Sequence, residues 1–193
     1  MAQKQFRKSF VLIALAALIA WGSKASLGAS EDLNTQVAEL YQLQAAFHQA
    51  ASGAGINADA KARHLSQMLA LFTDDAVIVV GTATYSGKGT PETPSCDAGS
   101  FTICDFFTHR AGSFVLGRNW VSLSPSFKVY FNVHGESAEV YFECHYFDVA
   151  TGLKQSDVSF GLMGVPNSGQ ARKVNGTWLL SYGVAGFPPL SSW

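Results

Sequence analysis

The strongest constraint on the fold is a change of hydrophobic period along the chain. Apolar residues such as Val37, Leu40 and Phe47 recur every three or four positions in the first part, but from about residue 121 they alternate with polar ones. This alternation predicts four strands with short turns between them, at about 121–134, 137–149, 155–165 and 171–184. Helices in the first part of the chain, followed by a meander of strands in the second part, predict an α+β fold with an antiparallel, strongly bent sheet.

Three helices are predicted ahead of these strands. The first covers residues 31–52, and the second begins at Asn57 or Asp59, either of which can cap it. A short buried strand at 76–80 follows, and a third, short helix is predicted at about 101–109.

The N-terminus carries the pattern of an export signal. Three basic residues among the first eight precede an unbroken apolar run from Phe10 to Trp21, and small residues follow it. The run has 12 residues, whereas a membrane-spanning helix needs about 20. We therefore expect a signal peptide at residues 1–25, with cleavage as late as Ala29, and an exported protein, periplasmic or secreted, with no membrane contact after cleavage. The alternative is an uncleaved membrane anchor.

Composition limits the function of the remaining chain. About 165 residues remain, which suits one domain, predicted at 31–187. The formal net charge is −1 and no run of Lys or Arg follows the leader, so nucleic-acid binding is not expected. No Gly-rich phosphate loop and no His pair at metal-ligand spacing is present, so neither a metal nor a cofactor is expected.

The three cysteines are expected to differ in state. Cys96 and Cys104 flank a flexible turn in one exposed loop, and export supplies an oxidising compartment, so a disulfide between them is predicted. Cys144 lies within an apolar strand and is expected to be reduced and buried.

Several short motifs occur in an order that resembles a known family. They are Leu71-Phe72-Thr73-Asp74-Asp75-Ala76-Val77, Tyr85-Ser86-Gly87-Lys88, Gly135-Glu136-Ser137-Ala138-Glu139-Val140-Tyr141-Phe142 and Val174-Asn175-Gly176-Thr177-Trp178-Leu179-Leu180. Together they resemble the SnoaL-like branch of the nuclear transport factor two (NTF2)-like superfamily. The resemblance covers about residues 33–185, with the cysteine-containing loop at 90–104 as an insertion.

This resemblance implies a cystatin-like cone. Three N-terminal helices would pack in a strongly curved, mixed or antiparallel sheet, with an internal pocket between the two layers. It does not imply a reaction, because one scaffold can host unrelated functions. Steroid isomerases of this scaffold carry a carboxylate base at the position of Val80 and a proton-donating Asp near the apolar stretch 160–165, so the resemblance implies that both groups are missing here.

Strand alternation predicts which side chains reach the pocket. The inner face of the sheet is mainly apolar, and its few polar or amphipathic groups, with two from the first helix, are the candidate ligand contacts. We expect these residues to line one cavity: Tyr41, His48, Tyr146, Asp148, Trp178 and Tyr182. The alternative is that each is a core residue with one satisfied polar tip.

The opposite face of the sheet carries a second group of side chains. Glu143 and His145 share it with Tyr130, Tyr141 and Phe147. An acid–base pair is one interpretation, but a mixed aromatic and charged surface that forms a homodimer contact is favoured.

The sequence therefore favours an exported SnoaL-like pocket protein that binds a small, mostly apolar molecule. The first alternative is an enzyme of the isomerase, dehydratase or cyclase kind, with Asp148 or His48 as the base and Tyr182 or Tyr146 as the hydrogen-bond donor. The second is a non-catalytic interaction domain with a filled core. The absence of the two carboxylates that steroid isomerases use weighs against the enzyme alternative.

Overall fold

The computed structural model describes residues 32–124 and 129–186. The predicted signal peptide and its cleavage sites lie outside these residues. The described helices are α1 Leu33–Ala51, α2 Ala58–Leu69, α3 Ile103–His109 and α4 Ser113–Gly117. The described strands are β1 Phe72–Val80, β2 Ala83–Ser86, β3 Trp120–Leu123, β4 Val129–His134, β5 Ser137–Asp148, β6 Lys154–Phe160, β7 Gly169–Val174 and β8 Thr177–Gly186.

Local sequence signals determine where the helices begin. Asn57, rather than Asp59, caps α2, because its side chain accepts a hydrogen bond from the Ala60 amide at 2.8 Å. Thr102 caps α3 in the same way by accepting from the Asp105 amide at 3.1 Å. The five-residue helix α4 was not predicted, because it is too short to show a helical period.

The sheet is mixed and curved around the helices, as predicted for this fold class. Its main path runs β2-β1-β8-β6-β5-β3, with β4 paired to β5 and β7 paired to β5 and β8. All described pairings are antiparallel except the parallel pair β1–β8. The long strand β5 therefore has neighbours along both edges. Its side chains contribute to both faces of the sheet.

Three of the predicted strands have different boundaries in the structure, and one strand was missed. The segment 171–184 is a hairpin of β7 and β8, because Asn175 and Gly176 both adopt positive φ (51° and 80°), as a tight two-residue turn requires. The strand predicted at 155–165 ends at Phe160 because Gly161 has φ 81°. The stretch predicted at 121–134 contains two strands, β3 and β4, and β2 lies where only a turn was expected.

The cysteines behave as predicted. Cys96 and Cys104 form a disulfide with a Cα–Cα distance of 5.0 Å, and Cys144 is a buried free thiol. The bridge joins the loop that follows β2 to helix α3.

Replacing Cys96 and Cys104 together with alanine should lower the free energy of unfolding by about 2–3 kcal/mol, since the short closed loop restricts the unfolded chain. Urea unfolding with and without reductant measures the loss, and the double variant, which has no bridge to reduce, is the control. Thiol counting under denaturing, non-reducing conditions should find one free thiol per chain, and three would contradict the bridge.

Candidate functional site

A cavity of about 50 Å³ lies between the helices and the inner face of the sheet. Among the described residues, six phenylalanine rings line it: Phe47, Phe72, Phe106, Phe107, Phe114 and Phe160. Val80 also lines the cavity with an apolar side chain. By the resemblance, this is the position at which steroid isomerases carry their carboxylate base. Ala111, between α3 and α4, borders the cavity and is exposed, so the cavity approaches the protein surface there.

Among the described residues, three polar or weakly polar side chains border this cavity: Ser159, Tyr146 and Cys144. The Ser159 hydroxyl donates to the Gly161 carbonyl at 2.9 Å. Tyr146 and Cys144 lie on the same face of β5, and Ser122 lies opposite Tyr146 in the β3–β5 pair. Burial raises the pKa of Cys144 to about 12 and the pKa of Tyr146 well above its usual value, so both are protonated and neutral at pH 7.

His48, on helix α1, lies behind this part of the wall and contacts Ser122. Its Nδ1 lies 2.8 Å from the Ser122 hydroxyl, and its Nε2 lies 3.1 Å from the amide nitrogen of Gln44. Because an amide nitrogen can only donate, Nε2 accepts, and Nδ1 carries the proton that is donated to Ser122. Burial, and then the positive charge of His145, lower the pKa of His48 to about 4, so the ring is neutral at pH 7.

The predicted site residues do not converge on one cavity. Tyr146 lines it, and His48 lies behind the wall, where it contacts Ser122. Tyr41 is 44% exposed and contacts the Phe131 ring edge-on, with a centroid distance of 5.0 Å. Trp178 is buried against Lys173 and is not among the lining residues.

Tyr182 faces away from the cavity because β8 is irregular beside it. Leu180 pairs with Ala171 and Tyr182 with Gln170, so Ser181 is an extra residue that reverses the alternation of side chains. Beyond this bulge Ala185 lines the cavity, and a Cβ at Gly183 would lie 2.3 Å from the Phe160 ring. The prediction that Tyr182 points inward was therefore wrong.

Asp148 serves the turn that ends β5 and does not reach the cavity. Its Oδ1 accepts hydrogen bonds from the amide of Thr151 at 2.8 Å and from the hydroxyl of Thr151 at 3.0 Å. These hydrogen bonds lower the pKa of the Asp148 carboxyl. A strand-end Asp that caps a turn is not placed to remove a proton from a cavity-bound molecule.

The opposite face of the sheet holds a buried charge network rather than an exposed patch. Glu143 accepts from the Tyr141 hydroxyl at 2.5 Å and lies 3.0 Å from Nε2 of His145. His145 Nδ1 lies 3.0 Å from Asp157, whose second oxygen contacts Lys154 at 3.1 Å. Tyr141, Glu143 and His145 are all buried, so the expectation that they form an open surface was wrong.

The outer face also contains exposed apolar groups beside this network, since Tyr130 lies opposite Tyr141 in the β4–β5 pair. Tyr130 is 54% exposed and borders a surface groove of about 310 Å³, between strands β4 and β5 and the segment 162–169. Met163 and Val165 are exposed on the other side of the same groove.

Sequence reasoning did not identify Ser122, Asp157 or the segment around Ala111 as site residues. Ser122 follows from alternation only once β3 is known to pair with β5, where it lies opposite Tyr146. Asp157 joins the network because it lies opposite His145 in the β5–β6 pair. Neither register can be read from one sequence.

None of the described helices combines the length and the apolar character that crossing a membrane requires. Within residues 32–124 and 129–186, no group of three or more His, Cys, Asp or Glu side chains is arranged to hold a metal ion.

Comparison with known proteins extends the fold assignment. No protein-family model matches the chain, and no curated protein matches its sequence. Solved structures do match. One is a protein of unknown function with a cystatin-like fold from Nostoc punctiforme, at a TM-score of 0.54 and 14% identity over 79% of this chain and 90% of that one.

Two further structures show the same likeness. An NTF2-like protein of unknown function from Pseudomonas putida has a TM-score of 0.53 and 12% identity, over 80% of this chain and 88% of its own. A hexachlorocyclohexane dehydrochlorinase, LinA-type3, from Novosphingobium barchaimii has a TM-score of 0.52 and 12% identity, over 81% and 89%. The described residues therefore have the NTF2-like, cystatin-like fold that the sequence motifs indicated.

Proposed function

We propose that this is an exported pocket protein that binds a small, mostly apolar molecule in the cavity of the cone. The observation that carries the proposal is the aromatic and aliphatic lining of that cavity. Each methylene group that moves from water into such a site contributes about 0.8 kcal/mol. Because Tyr146 and Cys144 are neutral at pH 7, no charge on their side chains opposes an apolar ligand.

The size of the cavity limits what it can enclose. About 50 Å³ exceeds the ~10–15 Å³ that one water needs but is well below the ~150 Å³ of a cavity that binds benzene. The enclosed part of the ligand is therefore a few non-hydrogen atoms. A longer molecule can insert one end and extend past Ala111, where the lining reaches the surface.

The enzyme alternative has less support from the geometry. A proton-abstracting base must lie within hydrogen-bond reach of the substrate. Asp148 and His48 are not among the residues that line the cavity, and His48 already uses both ring nitrogens on Gln44 and Ser122. Among the described residues, the polar side chains that line the cavity are Tyr146, Cys144 and Ser159, and the Ser159 hydroxyl already donates to the Gly161 carbonyl.

Export and self-association are parts of the same proposal. The disulfide Cys96–Cys104 suits an oxidising compartment, in agreement with the leader pattern of residues 1–25. A homodimer through the outer sheet face would have to use exposed groups such as Tyr130 and Met163, which border the outer groove, since Tyr141 is buried in the single chain.

Isobutane, a compact molecule of four carbons, should bind in the cavity with a dissociation constant in the millimolar range. In a methyl NMR titration under isobutane pressure, signals of lining residues such as Ile78 and Val115 should shift. Ala185→Val adds two carbons to the lining and should weaken binding at least tenfold.

Ala150→Val is the matched control, because Ala150 is exposed and is not a lining residue, and its binding should equal that of the unchanged protein. Unshifted lining methyls, or equal binding by the Ala185→Val variant, would refute the proposed function.

A further inference from the structure

The groove on the outer face of the sheet has apolar side chains on both of its sides. Tyr130 on one side, and Met163 and Val165 on the other, are each exposed over half of their surface or more. The buried Tyr141 also lines the groove. Large apolar side chains gathered around one surface groove are typical of a site where another segment or molecule binds.

One wall of this groove is held in place by hydrogen bonds. The Ser168 hydroxyl accepts from the Leu162 amide at 2.7 Å and donates to the Val165 carbonyl at 2.7 Å. The Asn167 amide donates to the Glu139 carboxylate of β5 at 3.1 Å. The groove is therefore a formed feature of the fold, and a segment that binds there does not have to order its wall.

Strand β8 ends at the base of the same wall. The Val184 amide donates to the Ser168 carbonyl at 2.8 Å. Gly186, the last residue of β8, lies so close to Leu162 that a Cβ there would be 2.8 Å from Leu162 Cδ2. The chain that follows Gly186 therefore starts beside the groove.

The sequence that follows suits an aromatic-lined groove better than a longer strand. It reads Phe187-Pro188-Pro189-Leu190-Ser191-Ser192-Trp193, with two prolines, three large apolar residues and no charged side chain. The prolines cannot donate to a ladder along β6, beside which β8 ends. Proline-rich segments instead favour the extended polyproline II conformation, which binds grooves lined by aromatic side chains.

The distances allow this segment to cross the groove. Gly169 lies against the Val140 carbonyl of β5, and β4 is the next strand beyond β5. Neighbouring strands are about 4.8 Å apart. At about 3.1 Å per residue, the stretch from Phe187 to Leu190 spans about 12 Å, which is more than two strand spacings.

We infer that residues 187–193 bind in the outer groove of their own chain, with the proline pair against Tyr130 and Leu190 beside Met163. The inference concerns a different surface from the cavity, so its failure would leave the proposed apolar binding unaffected. A homodimer contact on the outer face would be made over the bound segment.

Methyl NMR of the full chain tests whether the groove is occupied. Leu190→Asp should release the segment and shift the methyl signals of Met163 and Val165, while the cavity signal of Ile78 stays in place. Ser191→Asp is the matched control, because it adds the same charge at the next position without removing an apolar side chain. Its groove signals should shift much less.

Cross-linking in the full chain tests where the segment lies. A Leu190→Cys, Met163→Cys double variant should form an intramolecular disulfide at least ten times faster than a Leu190→Cys, Leu153→Cys double variant. Leu153 is as exposed as Met163 but precedes β6 and does not line the groove. Mass spectrometry of each protein during mild oxidation measures the two rates.

Three results would overturn the inference. Faster bridging to the cysteine at position 153 would place the segment along β6 as a continued strand. Groove signals that do not respond to Leu190→Asp would show that the segment does not bind there. Groove signals that change with protein concentration but not with Leu190→Asp would show that a second copy of the chain fills the groove.

Discussion

Replacing His145 with leucine is expected to lower the free energy of unfolding by about 3–5 kcal/mol. The imidazole lies 3.0 Å from oxygens of both Glu143 and Asp157, and all three side chains are almost fully buried. Leucine would leave the two carboxylates close together without the imidazole between them, and removing one member of a buried polar pair is far more damaging than replacing the whole pair.

Two comparisons identify the cause of that loss in urea unfolding. Lys154→Met removes the cation at the more accessible end of the network and should cost less than His145→Leu. Combining His145→Leu with Glu143→Gln and Asp157→Asn removes both carboxylate charges and should recover part of the stability. A His145→Leu protein within about 1 kcal/mol of the unchanged one would show that the network contributes little.

Stability should also fall by about 2–3 kcal/mol between pH 7.5 and 4.5 because of His48 alone. Its pKa is about 4 in the folded chain, whereas an unperturbed histidine has a pKa of 6.5. The unfolded state therefore binds the proton more tightly. The contribution is fully present above about pH 6.5, declines as the pH falls, and is lost below about pH 4.

His48→Gln is the matched variant because glutamine is polar but does not titrate. Urea unfolding of both proteins at pH 7.5 and pH 4.5 measures the effect, and the pH-dependent loss should be smaller in the variant by about 2–3 kcal/mol. The same pH dependence in both proteins would mean that His48 does not titrate as its buried position requires.

The sequence was most informative where alternation continues without interruption. In β5, the parity that places Phe142, Cys144 and Tyr146 inside and Glu143 and His145 outside is correct, because no bulge interrupts these positions. The helices were predicted well for a similar reason, since caps such as Asn57 act locally.

The remaining features depend on contacts between distant segments. The bulge at Ser181 reversed Tyr182, and no single-sequence signal marks an extra residue within an alternating run. The burial of Glu143 and His145 could not be predicted, because their partner Asp157 is defined by the β5–β6 register. The cavity depends on how the aromatic rings of α1, α3 and the sheet pack, and periodicity carries no information on that packing.

A crystal structure determined under xenon pressure tests the central claim most directly. Xenon is apolar, fits small dry cavities, and is located by its strong scattering. It should occupy the space bordered by Phe47, Phe107 and Phe160 in the unchanged protein and be displaced in the Ala185→Val variant. Xenon absent from that space, or ordered water hydrogen-bonded to Tyr146 within it, would contradict an apolar binding cavity.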